Sequence, residues 1–155
     1  MGHANMIYCD TSLLITALTV EPRSVEVQRW LADQAAATLC ISDWVVTEFS
    51  SAVALKLRRG DLTLADVASA MANWRMAQQD KLVTIPVLQP AFALAARYCE
   101  MPATGLRAAD ALHLAVAALG GHALATLDAR LAEGAQAVGV RVVGVEPITI
   151  NYYAG

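Results

Sequence analysis

Met6-Ile7-Tyr8-Cys9-Asp10-Thr11-Ser12-Leu13-Leu14-Ile15 is an apolar stretch interrupted by one acid and two hydroxyls. Residues 6–9 are a short apolar run, the mark of a buried strand, and Asp10 ends it. Thr11 and Ser12 offer capping hydroxyls to a helix expected over residues 11–19. The stretch therefore reads as strand, turn and helix, with a carboxylate at the carboxyl end of the strand.

The same alternation continues outward. Pro22 and Ser24 open a helix carrying Val25, Val27, Trp30 and Leu31, and residues 38–41 form a second short strand. Ser42 and Asp43 are expected to cap a helix over residues 43–59, where Val45, Val46, Phe49, Val53 and Leu57 recur at helical spacing before Gly60 ends it. Residues 62–79 read as an amphipathic helix capped by Thr63, with Val67, Met71 and Trp74 on one side, antiparallel to the preceding helix. Residues 82–87 are a strand stopped by Pro86 and Pro90, residues 91–100 an alanine-rich helix, and residues 101–105 a loop. A helix over residues 107–119 is broken by Gly120 and Gly121, followed by a strand at 123–127, a helix at 129–138 and a last strand at 141–145. Strands that read as continuous apolar runs and alternate with helices belong to a parallel sheet covered on both faces. The expected class is α/β, a three-layer α/β/α sandwich with a mainly parallel central sheet. In such sheets ligands bind beyond the carboxyl ends of the strands.

At 155 residues, with no repeat or low-complexity linker, the chain is expected to form one domain; residues 1–5 read as an expression remnant or a disordered start ahead of Met6, the natural start. A composition 57% hydrophobic and 16% charged means that much of each helix is hidden, in the core or under a partner. The longest candidate for a membrane span, residues 111–127, is interrupted by His113, Gly120, Gly121 and His122. No basic start followed by an apolar run and cleavage site is visible. Cys9, Cys40 and Cys99 are odd in number and widely spaced, which argues against a disulfide framework and a thiolate zinc site and for the reducing cytoplasm. With 11 basic and 14 acidic side chains the net charge is -3, without the basic excess of a non-specific nucleic-acid coat.

Four carboxylates stand out. Asp10 and Asp128 each follow an apolar strand, so one edge of the sheet should carry both, although each residue alone also suits a helix cap. Glu48 lies in the apolar segment Trp44-Val45-Val46-Thr47-Glu48-Phe49, too far from Asp43 for a capping-box glutamate; the alternative is a solvated helix face. Asp110 lies near the start of an otherwise apolar helix, where an acid is costly to bury unless it is paired or coordinating, or simply favours the helix dipole. Carboxylates without nearby Cys or paired His are hard oxygen ligands, suited to Mg²⁺ or Mn²⁺ rather than zinc. Such ions clamp a phosphodiester and offset the negative charge that would repel RNA.

Four segments in order, Ile7-Tyr8-Cys9-Asp10-Thr11-Ser12, Thr47-Glu48-Phe49, Arg107-Ala108-Ala109-Asp110-Ala111-Leu112-His113 and Thr126-Leu127-Asp128-Ala129-Arg130-Leu131, resemble the PIN domain nucleases, and within them the VapC toxins. The resemblance covers most of the chain. It implies a Mg²⁺-dependent endoribonuclease acting as the toxin of a toxin-antitoxin pair. Asp10 and Asp110 would be principal metal ligands, Glu48 and Asp128 would complete the acidic pocket, and Thr11, Ser12 and Thr126 would be supporting hydroxyls. It also implies a homodimer and a cognate antitoxin, whose segment would lie along the helices at 43–59 and 63–79.

Arg107 and Arg130 flank two of the acids and could contact phosphate or pair with a carboxylate. Lys56, Arg58 and Arg59 sit at a helix carboxyl end, where cations are favoured in any case. His113 is better read as a packed, hydrogen-bonded residue than as a general base, and Trp30, Trp44, Trp74, Met71 and Met76 as core or interface residues. Tyr152 and Tyr153 have no assignment. Two rival readings remain: an RNA- or partner-binding module that does not cleave, and phosphoryl transfer through Asp10 as nucleophile. The second lacks an acid two residues on and a lysine within the motifs.

Overall fold

In the computed structural model, which describes residues 5–145, the apolar runs become five parallel strands of one sheet. The elements in order are β1 (Ile7–Cys9), α1 (Thr11–Leu18), α2 (Ser24–Asp33), β2 (Leu39–Ser42), α3 (Asp43–Arg59), α4 (Leu64–Asp80), β3 (Leu82–Ile85), α5 (Gln89–Glu100), α6 (Ala108–Leu119), β4 (Ala123–Ala125), α7 (Ala129–Ala137) and β5 (Val142–Val143). The strand order is β3-β2-β1-β4-β5. Every residue of β2 and β4 is buried, while the edge strands β3 and β5 are half-buried, as a sheet covered by helices on both faces requires. Helix α1 packs against α2, α3 and α4, with α3 also against α4, and α5 and α7 both pack on α6, giving the three-layer sandwich. Tyr152 and Tyr153 lie outside the described residues, as does most of the segment 1–5.

The sheet order fixes where a site can form. From β1 the chain steps outward to β2 and β3, then returns to the other flank of β1 for β4 and β5. The connections therefore diverge between β1 and β4, and a crevice opens there at the strands' carboxyl ends. Cys9 pairs with Ala125, so the next residues, Asp10 and Thr126, emerge side by side at that crevice.

Several boundaries differ from expectation for identifiable reasons. Strand β4 stops at Ala125 because the following backbone turns to α1: Leu127 N–H donates to Ser12 Oγ (3.1 Å) and Asp128 N–H to Thr126 Oγ1 (2.9 Å). Strand β3 stops at Ile85, ahead of Pro86, which has no N–H to continue the ladder. Pro90 lies in the first turn of α5, where a missing N–H costs nothing. The cap of α1 is Asp10, whose extended backbone (φ -78°, ψ 173°) lets Oδ1 accept Leu13 N–H; Thr11 and Ser12 fall inside the helix and their hydroxyls serve other partners. Ser42 occupies the cap position of α3 but makes no side-chain cap bond, its hydroxyl being held by Tyr8, and Asp43 is the first helical residue. Thr63 caps α4 as expected, in a reciprocal capping box with Asp66.

Helices α3 and α4 join through stacked rings of Phe49 and Trp74, 4.3 Å apart and 18° from parallel. Trp30, Trp44 and Met71 pack partly buried against the core, whereas Met76 is exposed and belongs to no core. Gly134 of α7 approaches the segment before α6 so closely that a Cβ there would lie 2.8 Å from Leu106 Cδ1 and 2.9 Å from its Cγ. Overpacking of that kind costs about 1–3 kcal/mol, against a gain of roughly 1 kcal/mol from alanine's helix propensity. Gly134→Ala is therefore expected to lower stability by about 1 kcal/mol in chemical denaturation, and to lose that penalty in a Leu106→Ala background; a stabilised single variant would show that Leu106 moves aside freely.

Candidate active site

Asp10 is 3% exposed and held on three sides. Oδ1 accepts from Ser12 Oγ (2.7 Å) and from the Leu13 N–H (3.2 Å), and Oδ2 accepts from Thr126 Oγ1 (2.5 Å). A carboxylate has about four lone-pair positions, so one remains, on Oδ2. Asp128 caps α7, its Oδ1 accepting the Arg130 and Leu131 N–H groups. Both acids are thus caps and site residues together: capping aims each carboxylate at the same sheet edge.

Glu48 is not a solvated acid. Its Oε2 accepts from Thr11 Oγ1 and from His113 Nε2, both at 2.5 Å. His113 is buried on α6, and its Nδ1 meets Tyr8 OH at 2.9 Å; Tyr8 OH in turn meets Ser42 Oγ at 2.7 Å. Because an ionised carboxylate only accepts, Nε2 carries the proton in the His113–Glu48 bond. Asp110 stands in the first turn of α6.

These residues enclose one open pocket of ≈ 340 Å³, lined by Asp10, Thr11, Ser12, Glu48, Asp110, His113 and Asp128, with Ser51, Ala52 and Leu55 of α3 forming its less polar wall. All four carboxylates singled out in the sequence face it. Thr126 lies behind Asp10 and bonds to it, while Arg107 and Arg130 are exposed at helix starts and do not line the pocket. Neither described lysine reaches it: Lys56 Nζ pairs with Glu21 (2.6 Å) and Lys81 Nζ donates to the Gln34 carbonyl (2.7 Å), which leaves an aspartyl-phosphate reaction at Asp10 without its cation. Sequence reasoning missed the wall residues, although Ser51, Ala52 and Leu55 follow Glu48 at three, four and seven positions, the spacing of one helix face. It also missed Tyr8, which shares a strand face with Asp10 two residues on.

The pocket's electrostatics are those of crowded acids. Burial pushes the Asp10 carboxyl above its usual range, partly offset by the Thr126, Ser12 and Leu13 bonds and by attraction to His113. Burial also raises Asp110, reinforced by the charge of Asp128 and, more weakly, of Glu48 and Asp10. Glu48 goes the other way: burial opposes its ionisation, but hydrogen bonding and attraction to His113, with Thr11 and the Trp44 N–H, hold it low. Trp44 Nε1 itself is buried and lacks a hydrogen bond of good geometry, so its contribution is the weakest of these.

The donor set is all hard oxygen apart from His113, and the acids are under-compensated, which fits a divalent cation of the Mg²⁺ kind. Among the described residues no three acidic, His or Cys side chains stand preassembled around one point. For a carboxyl raised in the folded state, the stability contribution is complete below the unfolded value and is lost as pH rises through the folded one. Asp110→Asn is accordingly expected to raise the melting temperature of EDTA-treated protein at neutral pH and to change it little near pH ~4, the ordinary Asp value; an equal fall at both would show that Asp110 is held by favourable contacts instead.

A PIN domain model matches residues 7–136. Ribonuclease VapC35 of Mycobacterium tuberculosis is 32% identical over 143 residues, covering 89% of this chain and 96% of that protein. Among solved structures, Mycobacterium tuberculosis VapC20, described as a sarcin-ricin loop cleaving toxin, superposes with a TM-score of 0.66 at 19% identity, covering 88% of this chain and 98% of that one. A toxin-antitoxin complex from Klebsiella pneumoniae superposes with a TM-score of 0.62 at 18% identity, covering 93% and 100%.

Proposed function

The chain belongs to the PIN domain family, and from that premise we propose that it is a metal-dependent endoribonuclease, the toxin of a toxin-antitoxin pair acting in the cytoplasm. The observation that carries this reading is the single pocket into which β1, α3, α6 and the start of α7 bring Asp10, Glu48, Asp110 and Asp128. The 32% identity to a protein named a ribonuclease supports it, and the fold shared with a toxin-antitoxin complex supports an antitoxin partner.

Asp10 and Asp110 would hold a Mg²⁺ or Mn²⁺ ion, with Glu48 and Asp128 completing its surroundings. When bound, such an ion neutralises charge on the phosphodiester and makes water more acidic. Thr126, Ser12 and the Leu13 N–H keep Asp10 from rotating out of line, and Thr11 and His113 do the same for Glu48. The proposed reaction is in-line attack of water on the scissile phosphorus, breaking its bond to one ribose oxygen; the water loses a proton to solvent, the leaving oxygen takes one up, and no covalent protein intermediate forms. The wall of Ser51, Ala52 and Leu55 faces the acids and offers the sugar and base of the substrate an apolar surface. Leu55 on α3 and Leu64 and Met76 on α4 are exposed apolar side chains, which supports docking of the antitoxin along these two helices; a homodimer would cover others. No helix among the described residues is long and apolar enough to cross a membrane.

Short RNA incubated with the protein and Mg²⁺ should be cut, EDTA should stop the reaction, and Mn²⁺ should restore it. Asp10→Asn and Asp110→Asn should each lower the rate by about 10²-fold or more, since losing a charge that stabilises the transition state removes several kcal/mol. RNA binding without product would favour the non-cleaving module, and cleavage that survives EDTA would contradict metal dependence.

A further inference from the structure

The four acids do not account for a buried polar chain that runs from the core into the pocket. Tyr8 is fully buried on the central strand, and its hydroxyl stands between Ser42 Oγ (2.7 Å) and His113 Nδ1 (2.9 Å). His113 Nε2 then meets Glu48 Oε2 at 2.5 Å. Such a chain joins β1, β2, α6 and α3, so it ties the position of one pocket acid to three other elements.

We propose that Tyr8 is a positioning residue for the nuclease site: by donating to Nδ1 it fixes His113 in the Nε2–H tautomer, and His113 thereby holds the Glu48 carboxylate against the pocket. The proton directions follow from the acceptors. Glu48 Oε2 accepts, so Nε2 donates; in the tautomer with that one N–H, Nδ1 is the acceptor, filled by the Tyr8 O–H, whose oxygen is free to accept from Ser42. A ring whose far nitrogen is fixed by a partner presents its near nitrogen in one state and one orientation, which is how outer partners set the ligands of metal sites. Tyr8 touches neither the substrate nor an ion and acts only through His113.

This inference rests on the nuclease reading, and Tyr8→Phe separates the two, because it keeps the ring and removes only the hydroxyl. Long-range nitrogen–proton NMR of the histidines should show His113 as the Nε2–H tautomer in the wild type and as a mixture in Tyr8→Phe. Calorimetric Mn²⁺ affinity should fall about 10- to 100-fold in the folded variant, the usual loss when such a partner is removed. Ser42→Ala, the milder change, should lower it roughly 2- to 10-fold, as for one hydrogen bond, and serves if Tyr8→Phe does not fold. An Nδ1–H wild type, or unchanged tautomer and Mn²⁺ affinity in both variants, would overturn the positioning role while wild-type cleavage stands. A wild type that takes up no Mn²⁺ would overturn the nuclease reading, and the role of Tyr8 with it.

Discussion

Asp10 is gripped by a hydroxyl from across the sheet, Thr126 Oγ1 on Oδ2, and by Ser12 and the Leu13 N–H from its own helix on Oδ1. That junction bridges the carboxyl ends of β1 and β4, where the strand connections diverge, and it keeps a charge in a place that burial opposes. The rim at the start of α7 is hung from it. Ser12 also accepts the Leu127 N–H, and Thr126 accepts the Asp128 N–H, so the same hydroxyls that hold Asp10 place the second acid of the rim. A protein that kept its carboxylates only for helix capping would have no use for this double duty of Ser12 and Thr126.

Crowding explains the division of labour among the acids. Glu48 has donors on it and stays ionised readily, while Asp10 and Asp110 are raised by burial, Asp110 further by its acidic neighbours. Such a pocket holds unfavourable charge that a bound divalent cation would relieve, a common form of the trade between stability and activity. The net charge of -3, which counts against a nucleic-acid partner, is in part this pocket.

Much of the fold was legible in the chain because its punctuation is strong. Gly60, Pro86 and the pair Gly120 and Gly121 end elements where the backbone must turn, and the central strands are plain apolar runs. Strand ends were less legible: residues 126 and 127 have β-like composition, yet their polar groups bond to Ser12 and Asp128 rather than to a ladder. The four acids were readable since each interrupts an apolar segment. The chain from Ser42 through Tyr8 to His113 was not, because its links span 34 and 105 residues and each member alone resembles ordinary core. Only packing β1 between β2 and β4, under α6, brings them within bonding distance.

The most direct measurement is anomalous diffraction from crystals soaked in Mn²⁺. A peak between the carboxyl ends of β1 and β4, with Asp10 and Asp110 oxygens at about 2.0–2.2 Å as hard-cation coordination demands, is the expected result. Manganese bound only elsewhere, with this pocket empty at saturating concentration, would contradict it.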